Sequence, residues 1–270
     1  MYKLYNEKRC KTVIPGDDSR FFLQNFIFQK YFFKSKNKLS CLRELLAAKI
    51  ADKLGLEHIE YKLACYNGIY GLLSKSFFKR GYDYLSLNDL VISYTDRRDD
   101  FDTNAIEIYF MTIQKQFYLI PNFQKYFEKF KNDFLNMILF DMIIGNWDRH
   151  LNNVIIEYNS KKFRMIPIFD NDHGFESFNK TDIHTLDSSF FENAEVLKML
   201  IKAYPDLKER MASFLKIVDC ECFSSILRAL LKENITYFSK DDISGIFDSF
   251  VNGYVSIKDC IDSYECKRSK

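Results

Sequence analysis

The chain has 270 residues, 47% hydrophobic and 17% aromatic, enough apolar material for one large domain or two lobes and too much for intrinsic disorder. Its 27 Phe and 17 Tyr stand against only 9 Gly and 4 Pro, which argues for long helices and against an all-β sandwich. With 39 basic and 37 acidic side chains the net charge is +2, so no global field gathers nucleic acid, and direct nucleic-acid binding is not expected.

The N-terminal third reads as a small sheet with one helix. Phe21 to Phe28, Tyr31 to Lys34 and Lys62 to Tyr66 are short β-prone runs bounded by turn residues, and Asn67-Gly68 between two such runs predicts a tight hairpin. Between them, Leu42, Leu45, Leu46, Ile50 and Leu54 recur at helical spacing from Ser40, a candidate cap, to Gly55, a candidate stop; an amphipathic helix packed on a sheet is expected. Gly16-Asp17-Asp18-Ser19-Arg20 is the candidate phosphate-covering loop, although one glycine and two acids match no standard phosphate loop.

After Phe78 the pattern turns helical, and the stretch from Phe78 to Asn88 is the expected lobe boundary. Asn104 to Phe117 is periodic, and Asn122 to Ile144 carries Phe123, Phe127, Phe130, Phe134, Met137, Ile138 and Asp141 along one face before Gly145. Two strands, VIIEY and FRMIPIF, follow. The last third reads as four helices: Ala194 to Tyr204, Leu207 to Ile217, Phe223 to Leu231 and Asp241 to Tyr264, the last with a capping pair at Ser239 and Asp242.

The seven cysteines are odd in number and lack metal-ligand spacing, Cys220-Glu221-Cys222 included, which predicts free thiols in a reducing compartment. The start MYKLYNEKRCK has no secretory apolar core and no run of 18 apolar residues occurs, so a soluble cytoplasmic protein without membrane contact is expected.

Chemistry concentrates between Gly145 and Gly174. Asp148 and Asn153 are five positions apart, the spacing at which kinase catalytic loops place a carboxylate that orients the attacking hydroxyl and an amide that holds a metal. Asp170 follows 22 residues after Asp148, at the end of an apolar strand where a second metal-binding carboxylate would stand. Hard oxygen ligands at Asn153 and Asp170 suit Mg²⁺, and His150 on an irregular loop could donate toward a γ-phosphate. The bland alternative is that Asp148 simply neutralises Arg149, with His150 a core histidine. Lys34, at the end of Tyr31-Phe32-Phe33, is the candidate phosphate-binding lysine, and Glu44, ten residues on, the helix acid that orients it; Lys34, Lys36 and Lys38 can also be read as a solvated charge run. Asp172 and His173 with His150 leave a metal-dependent phosphohydrolase as a rival.

At these residues the chain resembles the HipA-like kinases, bacterial serine/threonine kinases best known from toxin and antitoxin systems. The matching pieces are YFFK at Lys34, RELLAAKIADKLGL at Glu44, GLLSKSF ending at Phe77, the loop NWDRHLNN and the strand end PIFD, over roughly residues 14 to 175. The resemblance implies an α+β, two-lobed, protein-kinase-like fold: a small N-terminal sheet-plus-helix lobe over 1–80 and a larger, mainly helical C-terminal lobe over 81–270, with the catalytic loop at 145–153 and the metal-binding strand end at 168–172. It further implies ATP and Mg²⁺ as cofactors, Lys34 on the ATP phosphates, Lys75, Ser76 and Phe77 as the adenine hinge, Asp148 as catalytic base, and Asn153 and Asp170 as metal ligands. A protein Ser/Thr substrate and an antitoxin-like partner follow. The phosphoinositide lipid kinases carry a similar D-R-H-x-x-N, so a lipid or small-molecule kinase is one alternative, and a catalytically silent nucleotide-binding regulator another.

Overall fold

The structure is a computed structural model and describes residues 2–4, 8–13, 20–24, 30–95, 103–176, 194–233, 237–238 and 241–266. The Gly16 to Arg20 loop up to Ser19, the end of the expected Phe21 to Phe28 strand, and Ser239 of the expected cap lie outside these residues.

A six-stranded sheet forms the N-terminal part, from β1 (Tyr2–Leu4), β2 (Lys8–Val13), β3 (Arg20–Gln24), β4 (Lys30–Ser35), β5 (Tyr61–Tyr66) and β6 (Ile69–Lys75), in the order β1-β5-β6-β4-β3-β2. The first two strands were not anticipated. They occupy opposite edges of the sheet, which in a flat sheet would lie about 24 Å apart at the usual strand spacing. Leu4 and Lys8 are four residues apart and can span at most about 15 Å. The sheet must therefore curl so that its edges approach. The hairpin between β5 and β6 forms as expected, with Asn67 and Gly68 both at positive φ, 49° and 81°.

Gly71 of β6 faces Ser35 of β4, and a Cβ there would lie 2.9 Å from the Ser35 Cα, inside van der Waals contact with backbone. Gly71→Ala is expected to push β6 away from the strand that carries Lys34 and to cost about 1–3 kcal/mol, read by urea unfolding.

Helix α1 (Lys38–Leu54) begins before Ser40: the Asn37 side chain caps it by accepting from the Ser40 N–H at 2.8 Å, and Gly55 ends it at φ 68°. It is not the half-exposed amphipathic helix expected. Twelve of its 17 residues are buried, because its other side packs on α6 (Leu207–Ile217) and α7 (Cys220–Glu233). Leu42, Leu46, Ile50 and Leu54 accordingly share one hydrophobic cluster with the C-terminal helices, while Phe33, Ala64 and Leu73 make a small separate core within the sheet.

The stretch read as a lobe boundary contains structure of its own: β7 (Asp83–Ser86) and α2 (Leu87–Thr95), whose Leu87 and Leu90 are fully buried. Helices α3 (Thr103–Phe117) and α4 (Phe123–Ile144) follow, then β8 (Ile155–Tyr158) and β9 (Phe163–Met165), which pair antiparallel in the order β7-β8-β9. Phe127, Phe130 and Phe134 on α4 are buried among Phe110 and Phe163 as the periodicity predicts. Helices α5 (Ala194–Ala203) and α8 (Asp241–Cys266) complete the C-terminal part. No helix among the described residues is long and apolar enough to cross a membrane.

FRMIPIF is not one strand. Pro167 has no N–H for a ladder, and the chain changes partners across it. Ile166 N–H donates to Ile155 on the β8 side, whereas Ile168 N–H donates to Glu57 and Ile168 C=O accepts from Ile59, in the segment after α1. Residues 166 to 168 thus stitch the end of α1 to the C-terminal sheet, and Asp170 emerges two residues beyond.

Candidate functional site

Helix α4 stops at Gly145, whose φ of 62° turns the chain and lets its N–H bond back to Asp141 and Met142. The loop that follows is organised by a charge inside the helix. Asp141 is fully buried, and its carboxylate accepts from Asn146 Nδ2 at 3.0 Å and from Arg149 Nε and Nη2 at 2.9 and 3.0 Å. The remaining donors of Arg149 reach across to the strand end: Nη1 to Phe169 C=O and Nη2 to Asn171 Oδ1. One 3%-exposed guanidinium therefore fastens the loop after α4 to both neighbours of Asp170. Asp148 is not the partner of Arg149, so the bland reading of this motif as a local ion pair fails.

Asp148 is half-exposed, with Oδ2 3.8 Å from His173 Nε2. Its pKa is raised by burial and by the charges of Asp170 and Asp172, against which His173 and His150 act. Asn153 sits in a 3-10 turn (Leu151–Asn153), and its side-chain N–H₂ donates to His150 Nε2 at 3.2 Å. That bond leaves the Asn153 amide oxygen as the atom available to a cation. Among the described residues His150 Nδ1 is buried without a hydrogen-bond partner, and Nε2 orients the Asn153 amide.

Asp170 adopts φ 59°, a left-handed backbone uncommon outside glycine, at the point where the chain leaves Phe169. Lys34, 6% exposed on β4, bonds Asp170 Oδ1 through Nζ, which lies 3.7 Å from Asp172 Oδ1. Lys36 pairs with Asp172 Oδ2 at 2.5 Å, so it is not part of a solvated charge run. Glu44, 1% exposed on α1, accepts from the Asn171 backbone N–H and from Asn171 Nδ2 at 3.3 Å; it braces the turn after Asp170 and acts on Lys34 only through its charge.

Oxygens of Glu44, Asp170 and Asp172 lie within 4.8 Å of one another; neither His150 nor His173 joins this group, whose oxygens could hold a hard cation and lack the histidine ligands that the phosphohydrolase alternative called for. Burial alone would neutralise Lys34, but Asp170, Asp172 and Glu44 overcome it and hold its pKa above the ordinary value. Burial works against the Asp170 carboxylate too, yet Lys34 and Lys36 keep it well below the usual range. Glu44 lacks such a contact, and burial pushes it up to about 7.

Of the hinge candidates, Lys75 ends β6 opposite Tyr31, Ser76 N–H donates to Lys30 C=O at 3.2 Å, and the Phe77 ring lies 6.1 Å from that of Phe169. The segment after β6 thus borders the strand end that leads to Asp170.

A second layer was not anticipated. Glu176 accepts from Arg43 of α1, from Trp147 Nε1 at 2.9 Å and from His173 Nδ1 at 3.0 Å, so it joins α1 to the residues beside Asp148. Burial opposes its ionisation, but His173 and Arg43 bring its pKa down to about 2, and its hydrogen bond raises that of His173. The depressed Glu176 contributes stability above its unfolded value of 4.5, lost as pH falls toward 2; the raised His173 contributes below its unfolded 6.5, lost as pH rises past that. The stability difference between wild type and Glu176→Gln is therefore expected to peak between pH 4.5 and 6.5 and shrink on both sides, measured by urea unfolding across pH.

The signal for the Arg149 clamp was present in the sequence. Asp141 stands at a core position of α4, where a charge requires a buried partner. The Glu176 bridge had no such signal.

No protein-family model matches the chain. In sequence it is similar to a serine/threonine-protein kinase, CtkA, of Helicobacter pylori: 31% identical over 135 residues, 48% of this chain and 39% of that protein's length. In structure it is similar to the crystal structure of H. pylori proinflammatory kinase CtkA, with a TM-score of 0.68, 17% identity and coverage of 100% of this chain and 99% of that one. A Shewanella oneidensis HipA, from a toxin–antitoxin complex with HipB and operator DNA, matches with a TM-score of 0.56 and 12% identity over 94% of this chain and 64% of its own. A Golgi casein kinase matches with a TM-score of 0.51 and 10% identity over 98% and 75%. The chain thus carries the fold of these kinases, a small N-terminal sheet lobe with a helical C-terminal part, and it spans well under half the length of the curated relative it matches.

Proposed function

We propose that this chain is an ATP-dependent kinase that transfers the γ-phosphoryl group to a Ser or Thr hydroxyl of a protein, with residues 1–80 and 81–270 acting as the two lobes that enclose the nucleotide. The observation that carries the reading is the Arg149 clamp, which holds the Asp148 loop against the Asp170 turn while Lys34 reaches Asp170 from the opposite sheet. The serine/threonine kinase relative supports the reaction class, and the HipA neighbour supports a toxin–antitoxin setting with an antitoxin-like partner.

The donor set fits Mg²⁺: clustered carboxylate oxygens already balanced by cationic amines, and at Asn153 an amide whose nitrogen is tied to His150 and whose oxygen is left for a cation. Asp170 and Asn153 would hold the ion, which when bound neutralises charge on the phosphate oxygens. Asp148 accepts the hydrogen bond of the attacking hydroxyl and aligns its lone pair. Lys34 exchanges Asp170 for the α and β phosphates. Lys75, Ser76 and Phe77 offer the backbone and ring edge for the adenine.

The test is transfer from γ-labelled ATP to the chain itself and to casein, followed by phosphoamino-acid analysis. Phosphoserine or phosphothreonine in wild type, lost in Asp148→Asn and with a raised KM for ATP in Lys34→Met, supports the reading; label in Asp148→Asn equal to wild type refutes it.

A further inference from the structure

We infer that Lys36 is a displaceable cation: it holds Asp172 while the metal site is empty, yields that carboxylate to the incoming divalent cation, and then binds the polyphosphate. The inference rests on the kinase reading and names a residue that the reading does not use.

Lys36 lies two residues after Lys34, just past the end of β4 at Ser35, and both amines reach the Asp170-Asn171-Asp172 turn. Carboxylate oxygens of Asp170, Asp172 and Glu44 lie within 4.8 Å of one another. Like charges this close require cations between them. Lys34 and Lys36 are those cations, each carrying one charge. A divalent ion brings two charges to the same place, so one amine becomes redundant.

The geometry decides which amine the metal displaces, before nucleotide draws Lys34 from Asp170. The Lys34 side chain is 8% exposed and held by Asp170 with Asp172 also at hand, whereas the Lys36 side chain is 22% exposed and, among the described residues, forms its ion pair with Asp172. Lys36 is thus the outer of the two, at the mouth of the cluster, on a long flexible stem. Once freed it is a cation without a carboxylate, next to the site where a triphosphate would lie.

Metal and nucleotide affinity should therefore respond to Lys36 with opposite signs, an outcome that a merely structural residue would not produce. Mn²⁺ alone, titrated into the full chain by electron paramagnetic resonance of the free ion, is expected to bind at least about fivefold more tightly in Lys36→Met and Lys36→Gln than in wild type. The β,γ-imido analogue of ATP at saturating Mn²⁺ is expected to bind about tenfold more weakly in the same variants, and Lys36→Arg is expected to resemble wild type in both titrations. An unchanged affinity in either titration, with wild type binding normally, overturns the inference alone. A wild-type chain that binds neither Mn²⁺ nor the nucleotide analogue overturns the kinase reading together with it.

Discussion

Asp170→Asn is expected to reduce phosphoryl transfer by about 10³-fold or more while leaving the fold intact. The expected loss is large because one carboxylate has two tasks. It is the anchor of Lys34 in the structure and the charged ligand through which a metal would reach the phosphates. Asn removes the charge and keeps the shape. It also tolerates the φ of 59° that Asp170 adopts, so the backbone should not rearrange. Steady-state transfer from γ-labelled ATP, beside circular dichroism and urea unfolding, separates the two effects. Transfer within tenfold of wild type in a folded Asp170→Asn protein would remove Asp170 from the metal site.

The second large effect concerns stability. Arg149→Met is expected to destabilise the chain by about 3–5 kcal/mol, because it leaves the fully buried Asp141 carboxylate without its charged partner. The bonds to Phe169 and Asn171 disappear as well, so the catalytic loop and the Asp170 turn lose their common fastening. The double variant Asp141→Leu with Arg149→Met has no stranded charge and should recover most of the stability, since well-packed apolar replacements of buried ion pairs are often neutral. Transfer should remain depressed in that double variant, because nothing then joins Asp148 to the strand end. Urea unfolding of the three proteins beside the transfer assay tests both parts. A single Arg149→Met variant within about 1 kcal/mol of wild type would mean that water already relieves Asp141.

The candidate site residues could be singled out because phosphoryl transfer needs groups at short, fixed separations along the chain: Asp148 to Asn153 across one loop, Asp170 at the next strand end. Lys34 and Glu44 were legible by order along the chain. What escaped were pairings across more than a hundred residues, such as Lys36 with Asp172 and Arg43 with Glu176, which no local spacing encodes. Glu44 shows the same limit: it lies on the helix as expected, but its bonds go to Asn171 and not to Lys34.

Elements were read well where hydrophobic period is strong, as along α4, and poorly where a chain changes partners. The run from Phe163 to Phe169 is continuous in hydrophobicity, yet Pro167 divides it between β8 and the segment after α1. Strand β7 was hidden because its four residues show little alternation, and it is defined by pairing with β8. The burial of α1 on both sides follows from α6 and α7 returning to cover it, which is a property of the whole topology.

The central claim is that Lys34, Asp148, Asn153 and Asp170 serve one magnesium-nucleotide complex. Its most direct test is a crystal structure of the chain with Mg²⁺ and the β,γ-imido analogue of ATP. The account predicts the ion on Asp170 and Asn153, the Lys34 amine turned from Asp170 to the α and β phosphates, and the Asp148 carboxylate facing the γ-phosphate. A triphosphate bound elsewhere, or an Asp148 side chain directed away from it, would contradict the account.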